Sequence, residues 1–362
     1  MQRYNVLLQR KNVIPNFPLY GGLVRVRRPP GLAAVAERAG VSVSLVSRIL
    51  TGDPGLRVRE TTRQRVLRAA ADLAYVPHVS GRALRLAEAG AIGLVVRDVG
   101  NPVHAEIIHG ARLATAARGQ ALLLAAAPGP AAIDRLIGEG RVDGLLWLGC
   151  GLDDDLAVRA AAHLPTLLAG DRPRAGVPGV RLADERAVAS AVAHLAALGH
   201  RDIGFIGGDA AADVSVRRLA GFVAALRERG LPVREEWIAT GGWDAADGRA
   251  AMDALLARPA RPTAVVVADV VMCLGALAAA RERGVAVPAE LSVVAVHDAW
   301  FAAHAAPPLT VVRLPLRDLG GRAAELIMSG DLDGPPGGHL IDGPPELVRR
   351  GSTAAPAPPV TG

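Results

Sequence analysis

Between residues 31 and 74 apolar positions recur every three or four residues, the period of an amphipathic helix. The stretch GLAAVAERAGVSVSLVSRIL, residues 31–50, divides at Gly40, where glycine can turn the chain through positive φ without steric cost. A first helix is expected from Leu32 to Ala39, with Ala36 small enough for close crossing. Ser42 is placed to cap a second helix, its hydroxyl accepting from a free backbone N–H. Val46, Ile49 and Leu50 would face inward, leaving Val43, Ser44, Ser47 and Arg48 on the other face. After a polar loop over 51–56 comes a third helix, Glu60–Leu73, with Val66, Leu67, Ala70 and Leu73 at core spacing. This is the layout of a helix-turn-helix, whose second helix reads the major groove, although any amphipathic helical hairpin shares part of it.

From Ala91 the pattern changes to short apolar runs alternating with helical stretches. Strands are expected at IGLVV (92–96), ALLLAAA (121–127), GLLWLG (144–149), TLLAG (166–170) and Val180–Leu182. Further strands fall at IGFIGG (203–208), Trp237–Thr240, AVVVA (264–268) and LSVVAV (291–296). Helices lie between them, at Ala105–Arg118, Ala131–Gly138, Val188–Leu198, Arg217–Arg229, Asp247–Arg258 and Met272–Arg283. Strands alternating with helices argue parallel α/β sheets. A switch near Gly170–Val180 divides them into two lobes around a cleft. The fold class is therefore an all-α helix-turn-helix headpiece followed by a two-lobed α/β core.

Charge sharpens the division. Residues 1–85 hold 15 Lys/Arg and 4 Asp/Glu, net +11, so residues 86–362 carry 6 − 11 = −5. A cationic end that coincides with the helical hairpin attracts phosphates and releases counterions on binding. Lys11 is the only lysine, which accounts for arginine use but not for the asymmetry. No apolar run reaches the roughly 18 residues of a membrane span, and no secretory apolar region follows the basic N-terminus, so a cytoplasmic protein is expected. Cys150 and Cys273 are too few for a disulfide framework or a metal site. GFIGGD (204–209) lacks the full dinucleotide fingerprint, and the histidines lack metal-ligand spacing. No enzyme activity, metal or cofactor is expected.

An ordered series of motifs resembles the LacI/GalR family of bacterial transcription factors: AGVSVSLVSRIL (39–50), TRQRVL (62–67), YVP (75–77) and GRALR (81–85). It continues with NP (101–102), RVDGLL (141–146), HLAALGHRDIGFIGG (194–208), RLAGF (218–222), PPLT (307–310) and LVRRGST (347–353). The resemblance implies a headpiece over 29–74, a hinge over 75–89, and a periplasmic-binding-protein-like core over 90–351 whose lobes are joined by three crossovers. Helix 315–329 would return to the first lobe and 340–351 would finish in the second. Residues 1–28 match nothing in the family and read as a disordered arm or as translation begun upstream of the natural start. Residues 352–362 read as a disordered tail. The implied function is a dimeric regulator, most simply a repressor of metabolic genes, that binds palindromic duplex operator DNA under control of a small-molecule effector.

By the same resemblance Val43, Ser44 and Arg48 read bases, and Ser47 contacts the backbone. Arg82 contacts phosphate, and Leu84 is the hinge leucine that wedges into a base step. Gly31 and Arg59 replace the usual helix caps. In the cleft Arg218 and Trp243 match effector-gripping and stacking residues. Elsewhere the chain departs from the pattern. The usual aspartate falls on His297, an Asn-Asp pair on Asp269 and Val270, an aromatic pair on Val103 and His104, and a further Asp on Ala183. These exchanges alter donors and charge, and imply an effector other than a plain neutral hexose: an acidic or modified sugar, or none. A transporter's solute-binding protein and a regulator with a protein co-regulator remain as alternatives.

Overall fold

The computed structural model describes residues 30–53, 55–75, 88–126, 129–149 and 154–357, which fall into two compact units, one up to Tyr75 and one from Glu88 onward. In the first, α1 (Leu32–Ala39) ends at Gly40, whose φ of +63° lets its N–H reach back to the last carbonyls. Ser42 caps α2 (Val43–Leu50) by accepting from the Leu45 N–H at 3.3 Å. The third helix, α3 (Glu60–Asp72), closes a small core of Val35, Ala36, Ala39, Val46, Ile49, Val66, Ala69 and Ala70. Neither Gly31 nor Arg59 gives a side-chain cap. Leu67, expected in this core, is 41% exposed, and Ala69 occupies the inward position instead.

The second unit holds two six-stranded sheets. In the first lobe β1 (Ala91–Val96), β2 (Ala121–Ala126), β3 (Gly144–Leu148), β4 (Thr166–Ala169), β5 (Gly179–Arg181) and β11 (His339–Leu340) run parallel in the order β11-β5-β4-β3-β1-β2. In the second, β6 (Ile203–Gly207), β7 (Ile238–Thr240), β8 (Ala264–Val267), β9 (Ser292–Val296), β10 (Thr310–Arg313) and β12 (Glu346–Val348) lie in the order β12-β10-β9-β8-β6-β7, with β12 antiparallel. The apolar strands β1, β3, β4, β6, β8 and β9 are buried on both faces, which matches their coverage by helices. Those helices are α4 (Pro102–Ala117), α5 (Pro130–Gly138), α6 (Asp154–Ala161) and α11 (Leu316–Ser329) in the first lobe. In the second they are α7 (Asp184–Ala197), α8 (Asp213–Glu228), α9 (Ala245–Leu256) and α10 (Val270–Glu282).

The chain crosses between lobes three times, after β5, after β10 and after β11, as the resemblance implied. Helix pairs approach closely through glycines: a Cβ on Gly110 of α4 would lie 1.9 Å from the Arg317 carbonyl oxygen, and one on Gly320 of α11 1.9 Å from that of Ile107. Two differences from the sequence reading bear on function. Helix α7 begins at Asp184, four residues before the expected Val188. Residues 352–354, expected to begin a disordered tail, are instead packed against the second lobe, and 358–362 lie outside the described residues. Ser352 is fully buried, its hydroxyl accepting from the Thr310 N–H and donating to the Val293 carbonyl.

Candidate nucleic-acid interface and ligand cleft

The outward face of α2 carries Val43, 46% exposed, with Ser44 exposed beside it and Ser47 and Arg48 half-buried. Inward-facing Val46 and Ile49 fix that orientation. Arg48 is held by Asp53, whose carboxylate accepts from Nε at 2.7 Å. Arg82 and Leu84, with the rest of the expected hinge from 76 to 87, lie outside the described residues.

In the larger unit one cavity opens where strands of both lobes end at their carboxyl edges, the usual ligand position in open α/β sheets. It holds about 50 Å³. All five residues assigned to the cleft from sequence line it: His104 from the first lobe, and Arg218, Trp243, Asp269 and His297 from the second. Two that sequence reasoning missed join them, Arg97 just after β1 and Asp184 at the start of α7. The signal for Arg97 was its place at the end of a buried strand. The carboxylate sought at position 183 stands one residue later.

Asp184 is the hub. One carboxylate oxygen accepts from Arg218 Nε at 2.8 Å and Nη2 at 2.7 Å, and the other from Arg217 Nη1. Burial pushes its carboxyl up, but the two guanidinium groups outweigh this and hold it below the ordinary range. Arg218 also donates to the Ala268 carbonyl at 2.5 Å and to His297 Nε2 at 2.7 Å. Its guanidinium is thus largely committed within the protein, and it positions His297 as much as it faces the cavity. Arg217 reaches the other lobe by donating to the Gly170 carbonyl at 2.6 Å, and it is held by Asp213 at 2.7 Å. Asp213 in turn takes Arg172 Nε at 2.6 Å, so the lobes are latched beside the cavity.

His297 follows β9 with φ +71°, a left-handed conformation unusual for a residue with a Cβ. Burial first, and Arg218 second, depress its basicity well below ordinary. His104 donates from Nδ1 to the Asp98 carbonyl at 2.7 Å, and burial lowers its basicity too. Asp269 caps α10 through the Val271 N–H at 2.7 Å, and its desolvated carboxyl is pushed up. No group of three or more metal-ligating side chains is found among the described residues.

A helix-turn-helix unit and a two-lobed α/β unit with a charged cleft define the class of ligand-responsive DNA-binding regulators. Residues 32–78 match the model for bacterial regulatory proteins of the lacI family, and residues 192–353 that for periplasmic binding protein-like domains. The chain belongs to the lacI family of bacterial regulatory proteins and is a DNA-binding transcriptional regulator. It is 34% identical over 335 residues to the HTH-type transcriptional repressor CytR of Escherichia coli strain K12, covering 89% of this chain and 95% of that one. It is 31% identical to the repressor PurR of Photobacterium profundum, covering 88% and 97%. The crystal structure of the lac repressor dimer bound to operator and the anti-inducer ONPF superposes with a TM-score of 0.78 at 27% identity, covering 91% of this chain and all of that one. No helix among the described residues is long and apolar enough to cross a membrane.

Proposed function

We propose that the protein is a homodimeric repressor of metabolic genes whose operator affinity is set by a small molecule bound between the lobes. The observation that carries this reading is the outward face of α2: Val43, Ser44, Ser47 and Arg48 stand together away from the headpiece core. Arg48 has the fork geometry for guanine, and Val43 an apolar surface for a thymine methyl. Arg82 and Leu84 are assigned the phosphate and wedge roles of the hinge. The domain division follows the same reading: headpiece 29–74, hinge 75–89, core 90–351.

Dimerisation has two supports. One headpiece contacts only a half-site, and a two-fold dimer matches a palindrome. Leu113 on α4 and Leu123 and Leu124 on edge strand β2 are 39–50% exposed, apolar area on an open sheet edge that a second copy would cover. The lac repressor structure is likewise a dimer on operator.

The effector is assigned to His104, Arg218, Trp243, Asp269 and His297. The cavity is far smaller than the roughly 300–1,000 Å³ of ordinary ligand sites, so admission requires the lobes to part at the Arg172–Asp213 latch. A ligand that favours one lobe angle over the other then shifts the DNA-binding population. The test is genome-wide mapping of bound sites, followed by binding to a mapped site with and without small molecules. Site-specific binding that one compound changes supports the reading. A protein that binds no site of its own genome at low ionic strength overturns it.

A further inference from the structure

Three buried side-chain atoms of cavity-lining residues have no hydrogen-bond partner among the described residues: Arg97 Nε, Trp243 Nε1 and His297 Nδ1. All three are N–H groups. The assignment for His297 follows from its neighbour. A guanidinium can only donate, so Nε2, 2.7 Å from Arg218 Nη2, is the acceptor and the ring proton sits on Nδ1. No buried side-chain oxygen of a lining residue is left without a donor, so among side chains the imbalance has one direction. Three unmet N–H groups on residues that line one cavity call for an acceptor, and leaving them unpaired is costly.

The charges point the same way. Asp184, the fully buried carboxylate of the wall, is already neutralised by Arg217 and Arg218. The other buried carboxyl, Asp269, is disfavoured as an anion by desolvation. Arg97 thus brings a cation from the first lobe to donors of the second, Trp243 and His297, whose indole benzo ring in the former case lies against Gly208.

We propose that the effector carries an oxyanion, a carboxylate or phosphate, that bridges the lobes by accepting from Arg97, Trp243 and His297. This rests on the cleft being the effector site, and it names the ligand class. Such a group holds the lobes together because its partners come from both. A neutral polyol would offer Arg97 a hydrogen-bond acceptor but no opposite charge.

The test uses the full-length protein and a small-molecule extract of the bacterium that carries the gene. An anion exchanger divides the extract into a retained and an unretained pool. Melting temperature is read for wild type, Arg97→Gln and Trp243→Phe; the second variant removes the indole N–H together with part of the ring edge that lies against Gly208, so each ligand shift is read from the variant's own ligand-free melting temperature. D-Glucose, D-glucuronate and D-glucose 6-phosphate at millimolar concentration are defined probes, the last two separating carboxylate from phosphate. The expected result is a rise of several degrees with the retained pool, reduced by half or more in both variants, and a larger shift from an anionic sugar than from glucose. A larger shift from the unretained pool, abolished by Trp243→Phe, overturns the oxyanion and leaves the cleft as the effector site. A shift that both variants keep, or none with either pool, overturns both.

Discussion

Arg218 donates to Nε2 of His297 at 2.7 Å, which puts the ring proton on Nδ1, and burial first and Arg218 second disfavour the charged imidazolium. The left-handed backbone of His297 and the Asp184–Arg218 pair hold the ring in place, so a sequence exchange at one position sets the polarity of the cleft wall.

This relationship gives stability a pH dependence. His297, His104, His194 and His200 all have basicity depressed below the ordinary 6.5, with burial the largest cause for each. The unfolded chain takes up these protons near 6.5 and the folded one only at lower pH. Stability is therefore full above 6.5 and falls as pH drops below it, by up to about 1.4 kcal/mol per pH unit for each group held neutral. The lowered carboxyls of Asp184, Asp213 and Asp298 act only below about 3.8, outside this window, while the raised carboxyl of Asp269 acts in the opposite sense, one group against four histidines. Melting temperature should fall between pH 7.5 and 5.5, and His297→Asn, which suits positive φ, should flatten the slope. A flat profile for the wild type would contradict the assignment.

Asp184→Asn leaves Arg217 and Arg218 buried against a neutral amide. Removing one partner of a buried charge cluster costs about 3–5 kcal/mol, far more than loss of an exposed pair. Urea unfolding should show that loss. Arg38→Ala, which breaks the exposed pair with Asp72, should change stability by less than about 1 kcal/mol.

In the headpiece, Arg48→Ala should lower affinity for a mapped site by about 1–3 kcal/mol and relax preference at one base pair. Its pair with Asp53 is partly exposed and cheap to exchange for a base or phosphate contact. Fluorescence anisotropy on the site and its single-base variants separates the two effects. Equal affinity for all variants by the wild type would remove α2 as the reading element.

Much of this was legible in the chain because buried parallel strands are nearly unbroken apolar runs, and IGLVV, GLLWLG and AVVVA stand out as such. The two-residue β11 and three-residue β12 carry no comparable signal, since their pairing is decided by where the crossovers bring them. Helix α6 went unrecognised for a similar reason: it is short, opens on a run of aspartates and has its apolar positions partly masked by alanine. In the cleft, the family resemblance placed Arg218, Trp243 and His297, but only the fold shows that Arg218 is spent on Asp184 and that Arg97 supplies an uncommitted N–H. Hydrogen-bond satisfaction is a property of three-dimensional neighbours and leaves no periodic trace.

The glycines at the α4–α11 crossing make a sharper claim on packing. Alanine ordinarily favours a helix over glycine by about 1 kcal/mol. At Gly320 a Cβ would meet the Ile107 carbonyl oxygen at 1.9 Å, a contact that only backbone movement can relieve. Gly320→Ala should therefore destabilise by about 1–3 kcal/mol despite its better propensity, while Gly321→Ala, with its nearest contact at 3.9 Å, should be neutral or stabilising. Calorimetry on the pair decides between packing and propensity.

The last prediction concerns the C-terminal segment, whose alanines and prolines suggest an unstructured tail. Ser352 hydroxyl accepts from the Thr310 N–H at 2.8 Å and donates to the Val293 carbonyl at 2.6 Å, and its own carbonyl accepts from the Val293 N–H at 2.8 Å. Two residues on, the Ala354 carbonyl lies 2.9 Å from His200 Nε2, and the Ala354 N–H donates to Ser292. These bonds satisfy polar groups at the β9 and β10 starts, where Ser292 is also reached by His200 Nε2 at 3.0 Å. Ending the chain after Gly351 would strand several of them, at about 1–3 kcal/mol for each buried group left unpaired. Ending it after Pro356 leaves all of them in place. The first truncation should lower the melting temperature by many degrees or abolish soluble expression, Ser352→Ala should lower it by a smaller amount, and the second truncation should match the full chain. If the chain ended after Gly351 melts with the full-length protein, the packing assigned to Ser352 and Ala354 contributes nothing to the fold.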